Sequence, residues 1–404
     1  MGKQKVYIVT LLAPRGETGV QTHFNAFADI AWLNQVEVDI ITPGKANMVM
    51  RGTLRRIGIL LGWCKKEWGI LWTRWVQYVL LLQLLYLRLR CHKTYKKTIY
   101  AQDPLSAKAA LRLRNAGHAL EIVLVLHFNI SEAHEVIEKG YATKGSLLYR
   151  HFLKLEKEVL PRVDRLLFVS DFMRQQVQSR LPETMNIPTH VIPNFASIPN
   201  SQEADELHSE SRDLISVGTL EPRKNQEFLL HVLVHAHRLG YRYQLTLVGD
   251  GPSRKRLEDL ASELGLTQYV LFMGFQQNGA SLIVHHRAYA HAARMESFGL
   301  VITEALASGK PVFAAPVGGI PEIFNDGVEG VFWDLDNPQR SAELLIEVLE
   351  DQDTYRNMCL AAKERYMKNF SPEVLGRKWL NAVVGSSDTE LMEQTLAQTR
   401  EYCS

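Results

Sequence analysis

Cysteine is scarce. Four residues in 404 (Cys64, Cys91, Cys359 and Cys403) show no Cys-x-x-Cys spacing and no disulfide framework, which points to a reducing, cytosolic compartment. No stretch follows Gly-x-Gly-x-x-Gly, so the dinucleotide-binding fingerprint is absent. His285, His286 and His291 lack an acidic or cysteine partner at ligand spacing, and neither a metal nor another cofactor is implied. The apolar run from Val6 to Ala13 is short, has no small-x-small cleavage site and stops at Pro14-Arg15-Gly16. That is the pattern of a first buried strand, not of a signal peptide. Valine at position 6 excludes a myristoylation signal behind the Met-Gly start. No internal repeat or low-complexity tract is evident. With 46% apolar and 22% charged residues the chain is long enough for two domains with ample core.

The net charge of +2 hides an asymmetry. Residues 51–98 hold eleven Lys and Arg against one acid, Glu67, a balance of about +10, and the remainder sums to about −8. Four of the seven tryptophans, Trp63, Trp68, Trp72 and Trp75, lie in the same stretch. Its longest uncharged run, Trp75 to Leu87, has 13 residues, too few to span a bilayer. Two readings stay open: amphipathic helices lying on an anionic membrane surface, or a core helix with solvated cations at its ends. No nucleic-acid motif accompanies the charge, so nucleic acid is not the expected partner.

Apolar strands alternate with helical patterns along both halves. In the first, Val6–Leu12, Val36–Ile41, Lys97–Ala101, Ile122–Leu126 and Leu166–Val169 read as strands, with helices over Gly19–Leu33 and from Ser106 to Ala116. Ser197 to Asp213 is polar, without apolar periodicity, and reads as a linker. Strands then resume at Leu214–Gly218, Leu245–Val248, Val270–Met273, around His291, at Val312–Ala315 and at Val331–Trp333. Such alternation predicts two α/β domains with doubly wound parallel sheets, whose ligands bind outside the carboxyl ends of the strands. The last segment, from about Pro372, reads as helical and polar.

Function is most legible in Glu296-Ser297-Phe298-Gly299-Leu300-Val301-Ile302-Thr303-Glu304. A carboxylate suits a vicinal diol, because its two oxygens accept from two neighbouring hydroxyls. A helix from Leu300 to Ser308 would present free N–H groups beside Glu296, an end that favours phosphate, with Glu304 one turn further on. Sugar, diphosphate and ribose then fit in that order. Upstream, Gly218-Thr219-Leu220-Glu221-Pro222-Arg223-Lys224 follows a strand, and two fixed cations there would neutralise charge on a departing nucleotide. Gly249-Asp250-Gly251-Pro252 and Gly274-Phe275 follow the next two strands.

This succession, with Pro316-Val317-Gly318-Gly319-Ile320-Pro321-Glu322 behind it, resembles the C-terminal half of the retaining GT-B glycosyltransferases of family four, and carries that family's Glu-x7-Glu motif. The resemblance implies two Rossmann-like domains facing an interdomain cleft. Residues 1–195 would bind the acceptor, 196–375 the nucleotide sugar, and a helix in 376–404 would cross back to the first domain. It implies that Arg223 and Lys224 grip the donor diphosphate and that Glu296 holds the transferred sugar. Glu304 would hold the ribose, and Gly218, Gly249 and Phe275 would line the donor site with Ser297 to Val301. In the first half it assigns Gly19 to the donor and His127 to the transferred sugar, and Asp103 would touch the acceptor. Where the family usually has adjacent glycines the chain has Thr18-Gly19, and where it often has Pro-Ser before the first glutamate the chain has Arg294-Met295. The expected activity is retaining transfer of a hexose, best matched by glucose, from a UDP-sugar to a glycan or lipid-linked glycan, in the cytoplasm and possibly on the inner face of a membrane. Its rivals are a catalytically idle scaffold in a glycan-assembly complex and a nucleotide-sugar epimerase.

Overall fold

Unbroken apolar runs such as Val6–Val9 and Ile122–Leu126 are 0–1% exposed, as befits strands covered by helices on both faces. In the computed structural model, which describes residues 4–14, 16, 18–45, 58–62, 65–91, 96–195 and 212–385, they are central strands of a six-stranded parallel sheet. The chain divides into two units. One runs to Pro193 and resumes at Leu375; the other is Asn194–Val374.

The first unit contains β1 (Gln4–Val9), α1 (Gly19–Leu33), β2 (Glu37–Ile41), α2 (Lys66–Cys91), β3 (Lys96–Ala101), α3 (Pro104–Asn115) and β4 (Glu121–Leu126). After these come α4 (Glu132–Glu138), α5 (Leu147–Val159), β5 (Arg165–Phe168), α6 (Asp171–Arg180) and β6 (Thr189–Val191). Strand order is β2-β1-β3-β4-β5-β6. Thr18 and Gln21 form a capping box that starts α1, and Asp103 with Pro104 starts α3.

The second unit contains β7 (Arg212–Val217), α7 (Gln226–Arg238), β8 (Leu245–Val248), α8 (Arg254–Glu263), β9 (Val270–Gly274), β10 (His286–His291) and α9 (Leu300–Ala307). Then follow β11 (Val312–Ala314), β12 (Gly330–Phe332), α10 (Pro338–Glu350), α11 (Gln352–Asn369) and α12 (Pro372–Val384), the last of which leaves this unit at Leu375. All six strands are parallel in the order β12-β11-β10-β7-β8-β9. The order reverses between β7 and β10, so a crevice for ligands opens at their carboxyl ends.

Two segments differ from the sequence expectation. The basic stretch is mostly one helix of 26 residues, about 39 Å long at 1.5 Å per residue. Charges at Arg74, Arg88 and Arg90 interrupt the apolar run without interrupting the helix. By length and composition α2 is therefore enough to cross a membrane, and only 17% of its most apolar 18-residue window is buried. The final helix is not polar throughout: Leu375, Trp379, Leu380 and Val383 are buried. Trp379 packs on His23, ring centroids 4.4 Å apart, and its indole donates to the Pro193 carbonyl at 2.8 Å. Residues 196–211, most of the expected linker, lie outside the described residues, as do 386–404.

Candidate active site

Strands β7 and β10 are neighbours in register, Ala288 opposite Leu214 and Tyr289 opposite Ile215, so the loops leaving them meet. After β7, a 3-10 turn over Pro222–Lys224 ends on Asn225, whose left-handed backbone starts α7. This turn places Arg223 and Lys224 against the loop that follows β10. The Arg294 amide donates to the Arg223 carbonyl at 3.0 Å, and the Arg223 guanidinium donates to the Met295 carbonyl at 3.0 Å.

Glu296 sits where these elements converge. Its Oε2 lies 2.5 Å from Lys224 Nζ, 3.5 Å from His291 Nε2 and 3.8 Å from Arg223 Nη1. Burial alone would push this carboxyl up, but Lys224, His291 and Arg223 hold it well below the usual carboxylate range. It is a fixed anion. Every contact falls on Oε2. His291, lowered by burial, is in turn 3.2 Å from the Tyr289 hydroxyl through Nδ1.

The backbone around Glu296 admits only glycine at one point. Gly318 has φ +59, and a Cβ there would lie 1.9 Å from the Glu296 carbonyl oxygen. That same oxygen accepts from the Gly319 amide at 2.9 Å. Beyond Glu296, Gly299 at φ +93 turns the chain into α9. Ser297, Leu300 and Val301 are half-buried there. Phe298 is buried in the core near Phe370, so only its backbone is available to a ligand. Glu304 follows one turn into α9, half-buried, and its carboxylate makes no hydrogen bond or ion pair among the described residues. Burial pushes it up to about 8.

The remaining predicted residues of this unit line the adjoining strand ends. A Cβ on Gly249, at φ +132, would lie 2.0 Å from the Gly218 carbonyl oxygen, so two strand ends approach as only glycine permits. Phe275, just past β9, is exposed. The structure thus brings Arg223, Lys224, Glu296, Gly299 and Glu304 into one neighbourhood.

Gly19, His127 and Asp103 belong to the first unit. Gly19 is the first residue of α1. His127, at the end of β4, has Nε2 3.2 Å from Gln102 Oε1, and burial pushes it down to about 3. Asp103 is occupied locally: its carboxylate accepts from the Ser106 amide at 2.8 Å, the Ser106 hydroxyl at 2.7 Å and the Leu11 amide at 3.2 Å. That is the work of a helix cap, and it accounts for the residue without an acceptor.

Sequence reasoning considered His291 only as a metal ligand, and missed its contact with Glu296. It also passed over Glu221, which pairs with Arg223 at 2.8 Å. Two Asp-x-Asp triplets were not weighed either. Asp334 accepts from the Asp336 amide at 2.9 Å, and Asp351 caps α11 through the Asp353 and Thr354 amides at 3.0 Å. Among the described residues no group of three or more His, Cys, Asp or Glu is placed to hold a metal ion.

Residues 18–198 match the family described as Glycosyltransferase Family 4, and residues 197–365 match Glycosyl transferases group 1. Among curated proteins, the N-acetyl-alpha-D-glucosaminyl L-malate synthase of Bacillus anthracis is 36% identical over 130 residues, 32% of this chain and 34% of that protein. The match thus spans about a third of that relative's length. Among solved structures, sucrose-phosphate synthase from Thermosynechococcus elongatus aligns with a TM-score of 0.72 at 18% identity, covering 98% of this chain and all of that one. Anabaena Alr3699/HepE, in complex with UDP and glucose, aligns with a TM-score of 0.67 at 19% identity, over 95% of this chain and all of that one. These two likenesses establish the fold. With the Glu-x7-Glu residues placed at the carboxyl ends of a doubly wound sheet, the chain belongs to glycosyltransferase family 4 and has the GT-B fold.

Proposed function

We propose that the chain is a retaining hexosyltransferase that moves glucose from UDP-glucose to a hydroxyl of a glycan or lipid-linked glycan. The observation that carries this reading is the buried Lys224–Glu296 pair beside a helix start whose next turn holds the unpartnered Glu304. Glu296 keeps Oε1 for the hydroxyls of the transferred sugar. Arg223, Lys224 and the free N–H groups at Leu300 and Val301 face the diphosphate, where negative charge grows as the bond from C1 to the β-phosphate oxygen breaks. The new bond forms from C1 to the acceptor oxygen on the same face, and the acceptor proton passes to the departing phosphate oxygen. Glu304 accepts from the ribose diol, which favours its ionised form. The UDP and glucose held by the HepE relative support the choice of donor.

The test is UDP release from UDP-glucose by the purified chain and by Lys224→Ala. Release well above the spontaneous rate, lost in the variant, is the expected result. Equal rates for the two proteins at the spontaneous level would instead mark an idle scaffold.

A further inference from the structure

Helix α2 has two faces of opposite character. Leu81, Leu85 and Leu89 are 0–1% exposed and pack inward with Leu80. Its one acid, Glu67, also turns inward to accept from the Leu148 amide at 3.4 Å, and Arg74 turns to Glu132 at 3.4 Å. On the other side Trp68, Trp75, Val79 and Tyr86 are 46%, 54%, 38% and 40% exposed. Their spacing of seven, four and seven residues keeps all four on one side of the helix. Helical residues 58–62 cross α2 closely, the Gly58 carbonyl oxygen lying 2.9 Å from where a Cβ on Gly69 would stand, and they add the exposed Ile59 and Leu60.

Cations frame the stripe. Lys65 Nζ lies 5.9 Å from the Trp68 ring and the Arg90 guanidinium 5.6 Å from the Tyr86 ring, with exposed Lys66 beside the first. We propose that this face of α2 lies in the headgroup region of an anionic lipid bilayer, the aromatics inserted and the cations on lipid phosphates. Trp and Tyr suit that boundary because each joins an apolar body to a polar tip. A spanning arrangement is excluded by the packed face, which holds the helix against its own unit. A second copy is disfavoured by charge, since a self-complementary contact through this patch sets two stretches of about +10 against each other. A bilayer carrying negative charge complements both the stripe and its frame.

The inference does not rest on the proposed activity, and its test uses none. Full-length protein is sedimented with phosphatidylcholine vesicles with and without phosphatidylglycerol. We expect binding to the anionic vesicles that weakens as salt is raised, with quenching of tryptophan fluorescence by brominated lipid. Replacing Trp68 and Trp75 together by Ala is expected to lower the partition coefficient about tenfold or more, with the melting temperature unchanged because both side chains are exposed. Four outcomes overturn the proposal: no sedimentation at low salt, binding indifferent to the double substitution, a wild-type dimer that the substitution dissociates, or resistance to alkaline extraction as for a spanning helix.

Discussion

Lys224 Nζ lies 2.5 Å from Glu296 Oε2, and the two side chains are 18% and 12% exposed. They come from loops after different strands, β7 and β10, so the contact exists only because the sheet order makes those strands adjacent. The pair is also what keeps Glu296 ionised in a buried place. Removing the cation leaves a carboxylate whose burial is compensated only by Arg223 and His291. Lys224→Ala is therefore expected to destabilise the fold by roughly 3 kcal/mol and to lower turnover by about 10²- to 10³-fold. Steady-state kinetics and a denaturant titration check both numbers. Wild-type turnover in Lys224→Ala would remove the lysine from the chemistry.

Glu304 gives a pH signature. Its folded carboxyl is raised to about 8, above the unfolded value near 4.5. Between those values the folded chain holds a proton that the unfolded chain has lost, so stability from this residue is full below about 4.5 and declines until about 8. Glu304→Gln, which cannot ionise, should therefore gain in melting temperature over wild type as pH is raised from 5 to 8. Ligand binding runs the other way. If the ribose diol donates to the carboxylate, UDP affinity in the wild type rises with pH by up to about tenfold per unit below 8, and the Gln variant shows no such rise. Calorimetric titrations at pH 6, 7 and 8 distinguish the two proteins. Parallel pH profiles would separate Glu304 from the ribose.

Gly318 is the place where one added carbon does the most damage. A Cβ at that position meets the carbonyl oxygen of Glu296 at 1.9 Å, and backbone atoms have nowhere to retreat. Its φ of +59 adds strain for any other residue. Gly318→Ala should cost on the order of 2–4 kcal/mol and shift the Glu296 carbonyl away from the Gly319 amide. UDP-sugar binding should weaken along with stability. Gly327→Ala, also at positive φ but with nothing within 4 Å, provides the control: it carries the strain without the collision.

The strands were legible because burial on both faces leaves continuous apolar runs; the expected ends differ from the observed ones by a few residues where polar residues such as Gln4 and Arg212 join the ladder. Glu296, Lys224 and Arg223 were legible as a set because a motif fixes their order, and the sheet order supplies their proximity. His291 was not, because a histidine at a strand end carries no local signal of which later residue it will face. The helical length of α2 escaped because hydropathy stops at a charge, whereas a helix does not: Arg and Lys are good helix formers, and Arg74 finds Glu132 from another part of the chain. Asp103 illustrates the opposite error. Asp-Pro-x-Ser after a strand is first of all a helix start, and its capping bonds were predictable from sequence without any appeal to an acceptor.

His127 makes the first unit sensitive to acid. Burial holds the folded imidazole neutral down to about pH 3, whereas in the unfolded chain it takes a proton near 6.5. The folded value is depressed, so the stability it confers is complete above about pH 6.5 and is lost as the pH falls from there toward 3. The slope is about 1.4 kcal/mol per pH unit for one such group. His23, whose ring centroid is 5.9 Å away and which is also lowered by burial, adds to the same loss. His127→Asn removes one titration and leaves the other. Urea titrations at pH 7, 5.5 and 4.5 should show the variant losing less stability than wild type on acidification, by about 1.4 kcal/mol per unit below 6. Equal losses in the two proteins would mean that the imidazole is already accessible to protons in the folded chain.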